Sequence, residues 1–483
     1  MTKVQGHKER KLRGSGGAIA AQDGRTTTAT TTTTTTTTIT ITITTRRPNM
    51  TIRIAIAGGG IAGLCLARGL LQYPQFEVHV YEQVLQHKDK GGALALHANA
   101  IGAMELIDPA IKQAYFRKAN SMLEDDEVEM ATRVIMAEGK HTGEVIARLG
   151  RAKGRKTVAR VDLIAGYQEL VPKEMVHLGK RVEGIEQAED GGVVVTFTDG
   201  STATADCLIG ADGIHSVARQ YVLGRDHPAA RPVNHERWYR VGAKLPMEVV
   251  ERTLSTQFLG FVPILCGPKG VFNMTPIQYG KVMTIAVYQR AKTGDDVGKL
   301  PDPDDFLDYH PDCVKMVELI RSVYREDEVW AIQDHDAAPY FNKGNVVMIG
   351  DAAHATFPFI GNGAAQAIED GAVLHALFGH VKDKSQLSAA FAAFDEIRRP
   401  RALRVVDLSR KAGLIYSYEF DGFWKEPDGI QALKEEWMKI ASFTNDADLA
   451  TQNKMAIAVF QRMTSQERDV VSRRDDCASS VRL

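Results

Sequence analysis

Long apolar runs are missing from this chain of 483 residues. No stretch reaches about 18 apolar residues, so a helix spanning a bilayer is not expected. The N-terminus also lacks the apolar core of a secretory signal. Net charge is nearly absent: 59 basic residues oppose 60 acidic ones. No global field then favours nucleic acid or a membrane surface, and a small, weakly charged partner is the default. The five cysteines, Cys65, Cys207, Cys266, Cys313 and Cys477, show neither CxxC nor Cys/His spacing. That argues against a metal site, a disulfide framework or a dithiol pair, and suits a reducing, cytoplasmic setting.

What is present is length and apolar content, 44% of residues, enough for two intertwined domains with appendages. Residues 1–49 are of low complexity, a basic opening followed by a Thr tract that grades into "ITITITT". Such a segment buries too little surface to offset its ordering entropy and is expected to be disordered. Being rich in Arg and hydroxyls and poor in acids, it also has the composition of an organelle transit peptide. The compact fold is expected to begin at Met50, directly before "TIRIAIAGGG".

Residues 51–57 read as a short buried strand, and the GxGxxG of Gly58, Gly60 and Gly63 opens a helical pattern. In that context Gly58 permits a tight turn, Gly60 a close backbone approach to a pyrophosphate, and Gly63 close helix packing. A second alternating strand, "FEVHVYE", ends in Glu82, placed to bind a ribose diol and to repel a 2′-phosphate. Further on, "VVVTFTDGSTATADCLIGADG" carries a hairpin signal at Asp199-Gly200, and its second strand reads as running on to Gly210. Asp212 follows in "GADGIHSVAR". A third signal, "GDAAHATFPFIGNGAAQAIEDG", contains Gly350-Asp351, Pro358 and a second glycine-to-helix joint.

These three signals, in this order and spacing, resemble the flavoprotein aromatic hydroxylases, and within them the salicylate hydroxylase-like branch of FAD-dependent monooxygenases. The resemblance runs from about Met50 to about Ser409 and includes "GGALALHANAIGAMELI", "ARVDL" and "FDEIRRPRALRVVDLSRKAG". It implies an α/β fold: a Rossmann-like, three-layer FAD-binding domain (residues 50–125, 155–225 and 335–405) interleaved with a mixed-sheet substrate domain (126–154 and 226–334). A helical region, 406–483, follows, and its tail from Asn445 reads as frayed. By the same resemblance Gly58, Gly60 and Gly63 bind the FAD diphosphate and Glu82 the ribose. Gly92 and Ala93 pass beside the isoalloxazine, and Arg160 reaches the cofactor, although Ala159 precedes it where the family motif has His. Asp212 lies near both FAD and the nicotinamide donor, Asp351 binds the ribityl chain, and Pro358 covers the flavin edge. Gly361, Gly363 and Ala364 set backbone N–H groups against the pyrimidine oxygen, where a helix dipole stabilises the charge of a reduced flavin. Where many relatives are polar after the proline, this chain has Phe359, Ile360 and Asn362, which implies a more apolar flavin face.

No second GxGxxG occurs, so NAD(P)H is expected as a transient co-substrate. The implied reaction reduces FAD, forms a flavin hydroperoxide with O₂ and hydroxylates a small phenolic or aromatic-acid substrate, with decarboxylation if the acid is salicylate-like. An oxidase or epoxidase of a secondary-metabolite intermediate, or a non-catalytic flavin-binding regulator, are the alternatives; a monomer or homodimer is expected. For substrate contact the candidates are Tyr239, with Arg240 or Arg219 as bidentate anion binders; Tyr239 and Trp238 could equally just pack the sheet. His97 is an acid/base candidate or a structural residue, while His354 and His335 read as turn supports. Residues 127–149 and 238–290 alternate like strands of a substrate-covering sheet. From Gln386 the pattern is helical, with Pro400 interrupting it. Arg398, Arg399, Arg401 and Arg404 read as a solvated or ion-paired face, or else as an anion site.

Overall fold

Residues buried on both faces make the strand Ile52–Ala57 a near-continuous apolar run, as expected for the middle of a parallel sheet. The computed structural model describes residues 28–31, 39–42, 51–87, 92–119, 132–149, 157–292, 298–421 and 429–480, with side chains only from 51 to 465. Ile52–Ala57 is flanked by Phe76–Glu82 and Cys207–Gly210. The whole sheet runs Asn342–Lys343, Val346–Met348, Cys207–Gly210, Ile52–Ala57, Phe76–Glu82, Val176–Leu178, parallel except at the first edge. The helices Ile61–Leu70, Ala98–Ile107 and Gly363–Phe378 pack together and share one apolar core with this sheet.

The hairpin at Asp199-Gly200 pairs Val193–Phe197 with Thr202–Ala205, and Gly200 supplies the left-handed turn residue (φ 80°). Its second strand does not run on to Gly210. It breaks at Asp206, whose carboxylate accepts the Arg53 N–H at 2.8 Å, and the chain then crosses into the parallel sheet as Cys207–Gly210.

A seven-stranded mixed sheet runs Val329–Ala331, Trp238–Pro246, Val282–Arg290, Val271–Ile277, Val262–Cys266, Thr132–Met136, Val145–Leu149. The strand alternation sends Tyr239, Val241, Ala243 and Leu245 to a core shared with the helix Pro311–Ser322. Trp238 and Val271 face the other way, onto the helix Leu387–Tyr416. The 127–131 part of the expected strand region lies outside the described residues.

Three expectations need correction. Thr28–Thr31 pairs antiparallel with Ile39–Thr42, in a unit separate from residues 52–483, so these parts of the 1–49 segment are not without structure; β-branched Thr and Ile favour extended pairing. The rest of that segment lies outside the described residues. Pro400 does not interrupt its helix, which runs unbroken across it and across the boundary placed at 405/406. An interior proline costs about 3 kcal/mol, and burial of Arg398, Ala402, Val405 and Leu408 on the same helix offsets it. The stretch read as frayed from Asn445 is largely the helix Leu449–Ser480, held because Leu449, Ala456, Val459 and Phe460 are buried in the main core. Cys477 lies beyond the described side chains.

Candidate active site

The first glycine joint turns where the strand Ile52–Ala57 meets the helix Ile61–Leu70. Gly58 has φ 109°, and an added Cβ would stand 2.1 Å from the Ala211 carbonyl oxygen. Only glycine fits there. Gly63 sits against the Gly58 carbonyl, whereas Gly60 faces open space. Gly60 is the helix N-cap and offers no side-chain cap, so the first helical N–H groups remain available to a ligand. Glu82, at the end of its strand, accepts N–H bonds from Gly59 (2.7 Å) and Val84 (2.9 Å).

The second joint folds back onto the first. Gly350 has φ 58°, and a Cβ there would lie 3.1 Å from the Cβ of Ala62. Asp351 follows, exposed, and starts the short helix Asp351–His354. Pro358–Ile360 makes a single 3₁₀ turn, Gly361 adopts the left-handed conformation (φ 61°), and the helix Gly363–Phe378 begins without a side-chain cap or a first-turn acid. Two uncapped helix N-termini thus border one cavity of about 380 Å³.

That cavity is lined by Gly60, Ala93, Arg160, Asp351, Pro358, Gly361, Gly363 and Ala364, all expected at the cofactor, and by His97. Gly58, Gly63 and Glu82 stand behind its wall, and Gly92 does not line it. Asp212 does not line it either, although Ala211 and Gly213 do. Its carboxylate is turned onto its own helix, accepting from Ser216 Oγ (2.5 Å) and the Val217 (2.7 Å) and Ala218 (3.1 Å) N–H groups. Burial raises its pKa, against those bonds.

The catalytic candidates divide sharply. His97 lines the cavity, with its Nε2 facing Gly361. Tyr239 points into the core on the far face of the seven-stranded sheet, its hydroxyl bonded to Gln289. Arg240 lies over Trp330 and pairs with Glu328 at 3.3 Å. Arg219 is wholly buried and donates to the carbonyls of Ala229 (2.5 Å), Ala353 (2.6 Å), Asp336 (2.9 Å) and Ala352 (3.1 Å). A guanidinium so engaged holds loops together; none of these three reaches the cavity.

The side chains that do face the cavity come from one face of the seven-stranded sheet: Val271, Asn273 and Thr275 at alternate positions, with Ile264 and Tyr288 beside them. The alternation of "VFNMTPI" carried that signal; which face it presented did not show. Phe359 lies among Trp238 (4.8 Å between ring centroids), Phe357 (5.7 Å), Tyr288 (6.0 Å) and Tyr416 (6.0 Å). Tyr416 donates to the Phe359 carbonyl at 2.9 Å. Phe359, expected to make the flavin face more apolar, thus sits in a cage of aromatic rings.

Beneath the second joint lies a buried polar network. Asp370 accepts from the Gly350 N–H (2.8 Å), contacts His354 Nε2 (2.6 Å) and pairs with Arg398 (2.8 Å). Glu369 pairs with Arg398 and Arg401, both at 2.7 Å. Burial pushes both carboxyls up, but the neighbouring cations outweigh it and hold them below their ordinary range. Of the arginine cluster, Arg398 and Arg401 serve these carboxylates, Arg399 pairs with Asp395, and Arg404 is exposed. His354 supports the turn. His335 is buried, and burial together with Arg219 lowers its pKa to about 3.

The arrangement fits FAD: a glycine turn with free helix N–H groups at one end, a carboxylate midway, and a second set of free N–H groups beside an apolar cage. Residues 51–409 match the FAD binding domain family. The chain is 34% identical over 433 residues to the 6-methylsalicylate 1-monooxygenase of Aspergillus terreus, covering 86% of this chain and 94% of that one. It is 30% identical to a salicylate hydroxylase of Sarocladium schorii, over 76% and 82% of the two chains. A salicylate hydroxylase solved with substrate superposes with a TM-score of 0.71 at 26% identity, over 84% of this chain and 98% of that one. Among the described residues no helix is long and apolar enough to cross a membrane. The chain belongs to the FAD-dependent monooxygenases, in their salicylate hydroxylase-like branch.

Proposed function

We propose that this enzyme consumes NAD(P)H and O₂ to hydroxylate a phenolic ring, and that a salicylate-type acid, hydroxylated with loss of its carboxyl group, is the substrate class. The observation that carries this is a single cavity in which the flavin cradle meets an apolar wall bearing only a few amide and hydroxyl groups. The likeness to enzymes named for 6-methylsalicylate and salicylate supports it.

Bound FAD would supply the redox chemistry, the activation of O₂ by electrons from NAD(P)H and the transfer of one oxygen atom to the ring. The chain's own residues do the rest. Gly60 and the first N–H groups of the helix it caps would hold the diphosphate, with Gly58 and Gly63 shaping that turn, and Glu82 would take the ribose on the lone pairs left beside the Gly59 and Val84 N–H groups. Asp351 takes the ribityl hydroxyls. The N–H groups at Gly363 and Ala364 oppose negative charge on the ring system at no reorganisation cost. Phe359 and its aromatic neighbours exclude water, which would otherwise divert oxygen to peroxide. Asn273, Thr275 and Tyr288 orient the substrate's hydroxyl, and His97, a titratable ring in that cavity, accepts the phenol proton so that the more nucleophilic phenolate reacts. The seven-stranded sheet serves as the substrate wall and the six-stranded sheet as the cofactor platform.

The test is direct. Purified protein should show flavin absorbance, and its NAD(P)H oxidation should accelerate with salicylates or phenols, giving a product heavier by one oxygen atom or, where the carboxyl group is lost, lighter by the difference between carbon dioxide and one oxygen atom. Absence of flavin would sink the cofactor assignment. Flavin without stimulation by any ring in a broad panel would instead favour a flavin-binding regulator.

A further inference from the structure

Asn273 and Thr275 alternate along the strand Val271–Ile277, and both side chains line the flavin cavity. Asn273 Nδ2 donates to the Pro263 carbonyl on the neighbouring strand at 3.2 Å, and Thr275 Oγ1 bonds Asn273 Oδ1, also at 3.2 Å. A carbonyl only accepts. The amide nitrogen of Asn273 therefore faces Pro263, its oxygen faces Thr275, and the Thr275 hydroxyl has to be the donor of the second bond.

That direction leaves the lone pairs of Thr275 unused. Among the described residues nothing donates to its Oγ1. The titratable and charged side chains lining the cavity are His97, Arg160, Tyr288, Asp351 and Tyr416, and none of them bonds Thr275. A neutral phenol suits the hydroxyl as it stands, since the phenol donates and Thr275 accepts. A phenolate would set lone pairs against lone pairs unless the hydroxyl turns about its Cβ–Oγ1 bond. Turning moves one hydrogen and no heavy atom. The neutral bond to Asn273 is given up, and a bond roughly twice as strong, because its acceptor is charged, replaces it.

We infer that Thr275 follows the substrate's proton: its hydroxyl accepts from the bound phenol, then turns from Asn273 to donate to the phenolate once that proton has passed to His97. The phenol O–H bond breaks and an imidazole N–H bond forms, while the hydrogen of Thr275 changes partner without leaving its oxygen. The inference rests on the ring-hydroxylase reading and deepens it. Asn273 is the resting acceptor that lets one hydroxyl serve both the neutral and the ionised ring.

The test reads ionisation directly. 4-Nitrophenol, coloured as its phenolate, is titrated with pH while bound to the oxidised, FAD-loaded enzyme. Thr275→Val, nearly isosteric but without the hydroxyl, should raise the pH at which the bound probe ionises by about one unit, a tenfold change in its ionisation constant. Thr275→Ser, which keeps the hydroxyl, should stay within about twofold of wild type. Turnover of salicylate should follow the same pattern: in Thr275→Val kcat falls about tenfold on the acid limb of the pH profile and recovers as pH rises, because a ring already ionised needs no further help. The proposal is overturned if Thr275→Val leaves the probe's ionisation unmoved, if it scales kcat by one factor at every pH, or if Thr275→Ser is impaired as much as Thr275→Val. Failure of salicylates and phenols to stimulate NAD(P)H oxidation faults the hydroxylase reading, and the probe titration, which needs no turnover, still decides Thr275. A probe that does not bind leaves Thr275 no phenol to hold and overturns the proposal as well.

Discussion

Asn99 Nδ2 donates to Glu369 Oε1 at 2.7 Å, tying the start of the helix Ala98–Ile107 to the helix whose N-terminus closes the far end of the flavin cavity. The same carboxylate takes Arg398 and Arg401. The loop bearing His97 and the loop bearing Gly361 are therefore positioned against each other by one buried anion. Glu369→Gln leaves Arg398 and Arg401 short of a buried partner, and breaking such a pair typically costs about 3–5 kcal/mol. The expected result is a lower melting temperature and faster flavin loss on dilution. A melting temperature unchanged from wild type would show that the network does not support the cradle.

Asp351 is an exposed carboxylate lining the cavity between the two glycine joints. Asp351→Ala should weaken flavin retention about tenfold or more, since a carboxylate–hydroxyl bond is worth about 1.5–3 kcal/mol, while the apoprotein melts as wild type does. Flavin fluorescence on dilution reads this; undiminished affinity would remove Asp351 from the cofactor site.

Phe359 fills the centre of its aromatic cage. Phe359→Leu should admit water without abolishing flavin binding, so NAD(P)H oxidation persists while the fraction of oxygen released as peroxide rises severalfold. Unchanged coupling of NAD(P)H to product would contradict the water-excluding role.

Tyr239 bonds Gln289 away from the cavity, and Arg219 braces four carbonyls. Tyr239→Phe should leave kcat/KM within about twofold, the loss of one partly buried hydrogen bond being worth only about 1 kcal/mol of stability. Arg219→Lys should lower the melting point, because an ammonium cannot span the same carbonyls. A large kcat loss in Tyr239→Phe with unchanged stability would return Tyr239 to the catalytic set.

His335 has a pKa lowered to about 3 in the folded chain by burial and by Arg219. Between that value and the unfolded value of about 6.5, the unfolded chain binds the extra proton. Stability is therefore unaffected above the upper limit and falls as pH drops through the window, by up to about 1.4 kcal/mol per pH unit. His335→Gln should flatten the fall between pH 6 and 4 in denaturant melts. An identical slope in the variant would show that the titration belongs elsewhere.

The sequence by itself determined the two glycine joints and the strand that ends in Glu82, because those features are local. The turn at Gly58 needs a positive φ, the carboxylate Glu82 must end a strand, and the second joint needs Gly361 before a helix; each leaves a mark within a few residues. Even the apolar cage was half legible, in Phe359 and Ile360. Which side chains line the rest of the cavity was settled only by tertiary structure. Tyr239 and Trp238 are adjacent in sequence yet belong to different cores, because a strand alternates faces and nothing local says which face meets the cofactor. Arg398 reads as one of a charged cluster, and only burial beside Glu369 and Asp370, about thirty residues away in the chain, makes it a structural cation. Asn273, Thr275 and Tyr288 came to line one cavity with the glycine joints only through the tertiary fold, a relationship between distant segments that no short pattern encodes.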